Sequence, residues 1–372
     1  MKKKTFLKSK TETCFFIVLI LLLFLGSLII YSASFPYAKS HYGDGAYYII
    51  RHSIFLLIGL ALMILTRFIP VKAIKKLSPF FYGFCVFLLL LVLFLGSSEG
   101  IAKRWLVIPG TSISFQPSEL MKLAITLILS WFISRKDAKN KNVFEAIIFP
   151  GLLLFLACGL VLLEKHLSGT IIIALIGISV IFISGASIKR MILYYGLSAL
   201  AGAITFLMTN SYAMKRITSF FDSNANILTD KWQTTQGLYA IGSGGIFGLG
   251  LGNSRQKYSY VSEPQNDFIF TIWCEEFGFF GAVCLIALFF LLIFYGYKIA
   301  YIANDKFSSL VVFGITTQIA LQTTLNMLVV TDLIPNTGIS LPFFSYGGSS
   351  LVILLIEMGI ILSVSRESNN GG

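Results

Sequence analysis

Charge is what this sequence has least of. Asp, Glu, Lys and Arg make up 12% of the 372 residues, against about 25% in soluble domains, so a water-facing surface over most of the chain is excluded. Histidine is nearly as scarce, with three residues, which argues against a histidine-rich zinc site. The five cysteines (Cys14, Cys85, Cys158, Cys274 and Cys284) stand singly with no CxxC pair, and read as small buried hydrophobes rather than metal or redox groups. Alternating segments of about ten residues are missing too, which excludes a membrane β-barrel. No internal repeat, low-complexity tract or soluble domain is visible.

What is present is long apolar runs. The chain is 56% hydrophobic, and the runs are about as long as a helix needs to cross a hydrocarbon core of about 30 Å. Spans are expected near 14–31, 51–69, 78–96, 117–134, 144–162, 168–184, 190–209, 268–300, 308–330 and 346–364. The reading is therefore an all-α polytopic membrane protein of about ten helices, one integral membrane domain over 1–372. Short cytosolic tails (1–13 and 365–372) and a long extracytoplasmic loop (210–267) complete it. The formal net charge of +12 is informative through its placement, not its sum. Arg67, Lys72, Lys75 and Lys76, then Arg135, Lys136, Lys139 and Lys141, then Lys189 and Arg190, then Lys298 and Lys306, all fall on one side of the ten-span count. Both termini are then cytosolic, and no nucleic-acid partner is expected.

The opposite face carries the irregular segments, where sites are usually built. Residues 32–50 hold Tyr37, Tyr42, Tyr47 and Tyr48, as expected near lipid headgroups. Lys215, Arg216, Lys231, Arg255 and Lys257 run against the charge rule, which suggests an anionic partner, with loop solvation as the bland alternative. The glycines of GSGGIFGLGLGNS (Gly242–Ser254) fit no nucleotide-binding spacing and suit tight turns or close backbone approach. Asp267, at the outer lip of the eighth span, suits a general base or a helix cap. Glu275 and Glu276 follow in the same span, and a continuous helix would put them about 12–14 Å below Asp267. Structural pairing is the default for them. Glu119 and Lys122 are i,i+3 neighbours after Pro117 and make a plausible intramembrane pair. Glu164, Lys165 and His166 mark the turn between spans five and six, with His166 read as a hydrogen-bonding residue. Gln318, Gln322 and Asn326 form one polar stripe on span nine, expected to face inward.

These segments together resemble the shape, elongation, division and sporulation (SEDS) family. The resemblance is carried by GLYAIGSGGIFGLGLGNSRQKYSY, EPQNDFIFTIWCEEFG, RWLVIPGTSISFQPSELMK, HLSGT and IPNTGISLPFFSYGGSS. YAIGSGGIFGLGLGNSRQK and the early YSAS favour the cell-division member over the rod-elongation member. The resemblance implies a peptidoglycan glycosyltransferase that polymerises lipid II, with undecaprenyl diphosphate as leaving group, on the outer face of the cytoplasmic (inner) membrane at the septum. It implies Asp267 as the catalytic residue. It also implies substrate-binding roles for Arg104, Gln116, Glu119 and Lys122. With the misplaced cations Lys215, Arg216, Arg255 and Lys257, and with Glu263, Ser345 and Ser349, these make the expected substrate-binding set. A divalent cation such as Mg2+ or Mn2+ could sit at Asp267, and no nucleotide or organic cofactor is expected. The partners implied are a class B penicillin-binding transpeptidase and other divisome membrane proteins. Where the family often reads proline-glutamate-x-histidine, this chain has Ser262, Glu263, Pro264 and Gln265, so that histidine is missing while Glu263 and Asp267 stay. The rival readings are a lipid II flippase, or a scaffold that mainly recruits the transpeptidase.

Overall fold

The computed structural model describes residues 2–99, 102–107, 114–135, 142–198, 202, 214, 218–222, 231–258 and 260–370. It is built of helices. In chain order these are α1 (Lys2–Tyr42), α2 (Tyr47–Phe68), α3 (Val71–Leu95), α4 (Pro117–Ile133), α5 (Phe149–Leu163), α6 (Leu167–Ile183) and α7 (Ile188–Met191). They continue with α8 (Trp232–Ser243), α9 (Ile269–Ile302), α10 (Lys306–Val330) and α11 (Gly348–Asn370). Single π-helical turns, Phe144–Ile148 and Ile192–Gly196, precede α5 and follow α7. Between α3 and α4 lies a small antiparallel sheet, β1 (Ser97–Glu99), β2 (Ala102–Val107) and β3 (Ser114–Phe115), paired in that order.

Seven helices among the described residues are long and apolar enough to cross a membrane, and α4 and α6 are shorter apolar helices of 17 residues each. These coincide with nine of the expected spans. Of the remaining one, 190–209, half the residues (199–201 and 203–209) lie outside the described ones.

Two hydrophobic clusters form the core. One joins α1, α9, α10 and α11, with Phe15, Leu22, Phe289, Ile315, Phe344 and Leu355 fully buried. The other joins α3 to α6 through Leu89, Met121, Leu129, Ile173 and Ile176. Outward-facing residues such as Phe24, Leu57, Phe80, Phe94, Phe155 and Phe290 are exposed, the arrangement expected where lipid is the solvent.

Hydrogen bonds at one end of the bundle fix a common level. Glu12 pairs with Arg67 at 2.8 Å and accepts from Asn369. Glu367 accepts from the Val71 amide at 2.9 Å, and its carbonyl accepts from Asn304. One end of each of α1, α2, α3, α10 and α11, on the side that holds Glu12 and Glu367, therefore lies at one level.

The expected continuous span 268–300 is corrected by the structure. α9 is broken at Gly278, whose backbone (φ 67, ψ −166) is not helical. The amides freed after the break, Phe279 and Phe280, donate to the Gly245 and Ile246 carbonyls (2.9 and 3.0 Å). In return, the Leu249 and Gly250 amides donate to the Glu275 and Glu276 carbonyls (both 3.0 Å). The glycine-rich loop is thus a cap on a helix break, and satisfies groups that would otherwise be orphaned. Glycine is required on both sides of this contact. A Cβ on Gly278 would stand 2.3 Å from the Gly248 nitrogen, and one on Gly248 would stand 2.2 Å from the Glu276 carbonyl oxygen.

Candidate active site

Asp267 precedes α9 in a turn and is half-buried. Asn326, in the polar stripe of α10, donates through Nδ2 to the Asp267 carbonyl at 2.8 Å and to the Ile339 carbonyl at 2.6 Å. One buried amide therefore holds two backbone segments together. Beside the carboxylate lies Gly338 (φ +67), and a Cβ there would come within 3.0 Å of Asp267 Oδ2. The Gly338 amide donates to Asn336 Oδ1 at 3.1 Å, and Asn336 Nδ2 reaches Gln233 on α8 at 3.3 Å. Ser168, at the start of α6, donates to the Thr337 carbonyl. Tyr346 donates its amide to the Gln265 carbonyl at 2.8 Å. Segments from α6, α8, α10 and the turn before α11 so converge on one carboxylate, with Gly338 close against it.

Depth differs from the sequence expectation. Asn326 stands about 30 Å along α10 from Lys306, at 1.5 Å per residue. Ser32 stands about 30 Å along α1 from Glu12 by the same count, and its hydroxyl donates to Glu276 at 2.6 Å. Asp267 and Glu276 are therefore at about the same height, and Glu276 is not about 12–14 Å deeper. The physical reason is the break at Gly278, which turns the first part of α9 across the outer end of the bundle.

The paired carboxylates are structural. Glu276 is 1% exposed and bonds to Lys257 Nζ at 2.9 Å. Lys257 also donates to Ser32 (3.0 Å) and to the Gly252 carbonyl (2.7 Å). Glu275 accepts from the Arg255 and Gln256 amides, at 2.9 and 3.3 Å, and from Ser243 and Ser254. Lys257 was expected to meet the substrate. It is instead 4% exposed and saturated by the protein, because a carboxylate without a cation at this buried position would be costly. Arg255 keeps an exposed side chain, and Lys215 and Arg216 lie outside the described residues.

A second polar group lies next to the first. Lys122 pairs with Glu119 at 2.8 Å and is 2% exposed. Glu357 of α11, fully buried and held by Gln318 at 3.0 Å, acts on the same lysine. His166 bonds Ser118 at 3.1 Å and Gln116 at 3.3 Å. Arg104, on β2, donates to the Lys165 carbonyl. Burial pushes His166 down to about 3, helped by Arg104 and Lys122, so the ring is neutral. Burial pushes the Glu164 carboxyl up to about 8 against the pull of Arg104, and neither of its oxygens has a hydrogen-bond partner among the described residues. Ser168 joins this group to Thr337, and hence to Asp267.

Of the remaining expected site residues, Glu263 is exposed near Asp267, holds Asn266 at 2.7 Å and has positive φ. Ser345 is buried and its hydroxyl accepts from the Leu341 amide at 2.7 Å, so it fixes a turn and does not face a ligand. Ser349 sits in the first turn of α11. Sequence reasoning missed the Asn336–Gly338 cradle, although the Pro-Asn-x-Gly run there was a readable turn signal. Among the described residues no three His, Cys, Asp or Glu side chains are placed to share a metal. The donor set at Asp267 is a single carboxylate. That fits Mg2+ or Mn2+ only as an ion shared with a substrate's phosphates, which is how Mg2+ is commonly held.

Fold and site together define a polytopic helical membrane protein with a carboxylate held at one end of its bundle. The model of the FtsW/RodA/SpoVE cell cycle protein family matches residues 12–370, and the chain belongs to that family. It is 39% identical over 365 residues to stage V sporulation protein E of Bacillus subtilis (strain 168), covering 97% of this chain and 98% of that one. It is 37% identical to the probable peptidoglycan glycosyltransferase FtsW of Geobacter sp. (strain M18), covering 92% and 93%. Among solved structures, a chain of a peptidoglycan synthase complex superposes with a TM-score of 0.78 at 25% identity, covering 95% and 97%. Thermus thermophilus RodA superposes at 0.71 with 27% identity, covering 95% and 96%.

Proposed function

We propose that this protein is a peptidoglycan glycosyltransferase that polymerises lipid II on the outer face of the cytoplasmic membrane, in division or sporulation. The observation that carries the reading is Asp267, a half-buried carboxylate held through its backbone by Asn326 with Gly338 close against it. In the reaction Asp267 takes the proton of the acceptor's GlcNAc 4-hydroxyl, whose oxygen attacks the donor's MurNAc anomeric carbon. The bond from that carbon to the diphosphate oxygen breaks, undecaprenyl diphosphate leaves with the electron pair, and inversion gives a β-1,4 linkage. Arg255, whose side chain is exposed, would meet the leaving diphosphate's charge. A divalent ion bound between Asp267 and that diphosphate would supply charge neutralisation.

The relative within a peptidoglycan synthase complex supports a crosslinking transpeptidase as partner, since that complex is described as coordinating polymerisation with crosslinking. The charge asymmetry of the loops supports the orientation that places Asp267 outside. The test is purified protein with fluorescent lipid II. Asp267→Asn, which keeps shape and removes the base, should cut polymer formation by about 10²–10⁴-fold, the usual contribution of a general base. Chain formation near the wild-type rate, or transfer of lipid II across a bilayer without any polymer, would sink the reading.

A further inference from the structure

The tyrosines at the outer ends of α1 and α2 are more than a scatter of interfacial aromatics. Tyr42 and Tyr47 stack at 3.8 Å and are nearly parallel, at 7°. Arg51 lies over the Tyr47 ring, 4.2 Å from its centroid. Two groups at such distances cannot share one face, so the column runs Arg51, Tyr47, Tyr42. Tyr48 lies 5.3 Å from Tyr47 and 6.0 Å from Tyr42, roughly perpendicular to both. A ring equally close to both members flanks the stack and does not cover its end. Tyr42 ends the column and is 50% exposed. The Asp44 carboxylate accepts from the Ala46 amide at 2.8 Å and stiffens the turn that joins the two helices.

This column is continuous with the candidate active site. Tyr48 meets Tyr346 edge to face at 4.8 Å, and the Tyr346 amide is bonded to Gln265, two residues before Asp267. Glu263 lies close enough to act electrostatically on both Tyr37 and Tyr48. Tyr42 lies ten residues beyond Ser32 along α1, so the column begins where the bundle ends. An aromatic belt residue needs only to lie among headgroups. A stack preorganised by a guanidinium, with an exposed end about 15 Å along α1 from Ser32 and joined to the Asp267 turn through Tyr48 and Tyr346, offers more than that: rigid, amphipathic contact area at low entropic cost.

We propose that the Tyr42–Tyr47 stack is a subsite for the growing glycan strand, on which a sugar unit a short distance from the new linkage lays the apolar C–H face of its pyranose ring. The proposal rests on the glycosyltransferase reading and extends it. A polymerase that adds units to a strand needs a hold on that strand away from the reacting bond. The phenolic hydroxyls flanking the stack provide hydrogen-bond partners for the sugar's own hydroxyls.

The probe is chitohexaose, a β-1,4-linked N-acetylglucosamine oligomer, titrated against full-length protein in nanodiscs. Its affinity should fall by about fivefold or more in Tyr42→Ala, as loss of one aromatic contact implies, and be retained in Tyr42→Trp. In lipid II polymerisation, Tyr42→Ala should shorten mean strand length by about two- to fivefold through faster strand dissociation. Tyr31→Ala removes an exposed aromatic of α1 outside the stack, and should leave both readouts unchanged. Equal oligomer affinity and equal strand length in wild-type and Tyr42→Ala would overturn the proposal, as would a Tyr31→Ala effect of the same size. Failure of the wild-type protein to make any polymer would count against the glycosyltransferase reading, while the chitohexaose titration still reads the stack by itself.

Discussion

Replacing Lys257 by Met separates a structural lysine from a substrate-binding one. In the folded protein its ammonium contacts Glu276, Ser32 and the Gly252 carbonyl at 2.7–3.0 Å, and both members of the ion pair are almost fully buried. Lys257→Met leaves the Glu276 charge with only the Ser32 hydroxyl and the distant Ser254 amide (3.4 Å). Removing one partner of a buried pair costs about 3–5 kcal/mol, a large part of the roughly 5–15 kcal/mol that holds a domain folded. For a chain of this size that corresponds to a fall in apparent Tm of about 4–6 °C. The double variant Lys257→Met with Glu276→Gln removes the stranded charge. What remains is chiefly the Gly252 carbonyl without its donor, about 1–3 kcal/mol. Thermal unfolding in detergent should therefore show the double variant more stable than the single one by about 1–3 kcal/mol, the reverse of additive damage. Lipid II polymerisation per folded molecule should stay within about threefold of wild type in the double variant, since under 1 kcal/mol of transition-state binding is at stake. A double variant that folds well yet has lost polymerisation would refute the reasoning and return Lys257 to the substrate. So would a single variant as stable as wild type.

Two other perturbations follow from the same geometry. Gly338→Ala places a methyl 3.0 Å from Asp267 Oδ2 at a residue with φ +67; it should cost about 1–3 kcal/mol of strain and lower kcat for polymerisation while the helical circular dichroism signal is kept. Glu164 is the pH-sensitive element: its carboxyl is raised to about 8 in the folded protein, so its contribution favours the fold below the unfolded value and is lost as pH rises through about 8. Apparent Tm should fall between pH 6 and 9 more steeply in wild type than in Glu164→Gln, and parallel slopes would contradict the assignment.

How far the sequence could be read depended on the range of each interaction. Nine of the spans were legible because a helix in lipid needs a long apolar run. Lys122 and Glu119 were legible as a pair because three residues of helix bring them together. Lys257 was misread for the converse reason. Its partner Glu276 lies nineteen residues further on and across a loop, so in sequence it could not be distinguished from a cation waiting for an anion. The Gly338 cradle is further still from Asp267, and only the Asn326 bridge to the Ile339 carbonyl brings the two segments together.

The least legible feature was the break in α9. Gly278 is one of two glycines in IWCEEFGFFGAVC, and each costs a helix only about 1 kcal/mol, so nothing local announces the break. The break holds because the 245–250 loop supplies donors and acceptors to both sides of Gly278, a long-range arrangement invisible to periodicity. Its consequence reaches the chemistry. The segment from Asp267 to Glu276 lies across the outer end of the bundle, tied at one end to α10 by Asn326 and at the other to α1 by Ser32 and Lys257. Its two moorings belong to different helices, so a shift of α1 relative to α10 must turn this segment and re-aim the carboxylate. The mooring to α1 rests on the Ser32 hydroxyl as well as on the buried Lys257–Glu276 pair, so removing the pair alone leaves the segment attached.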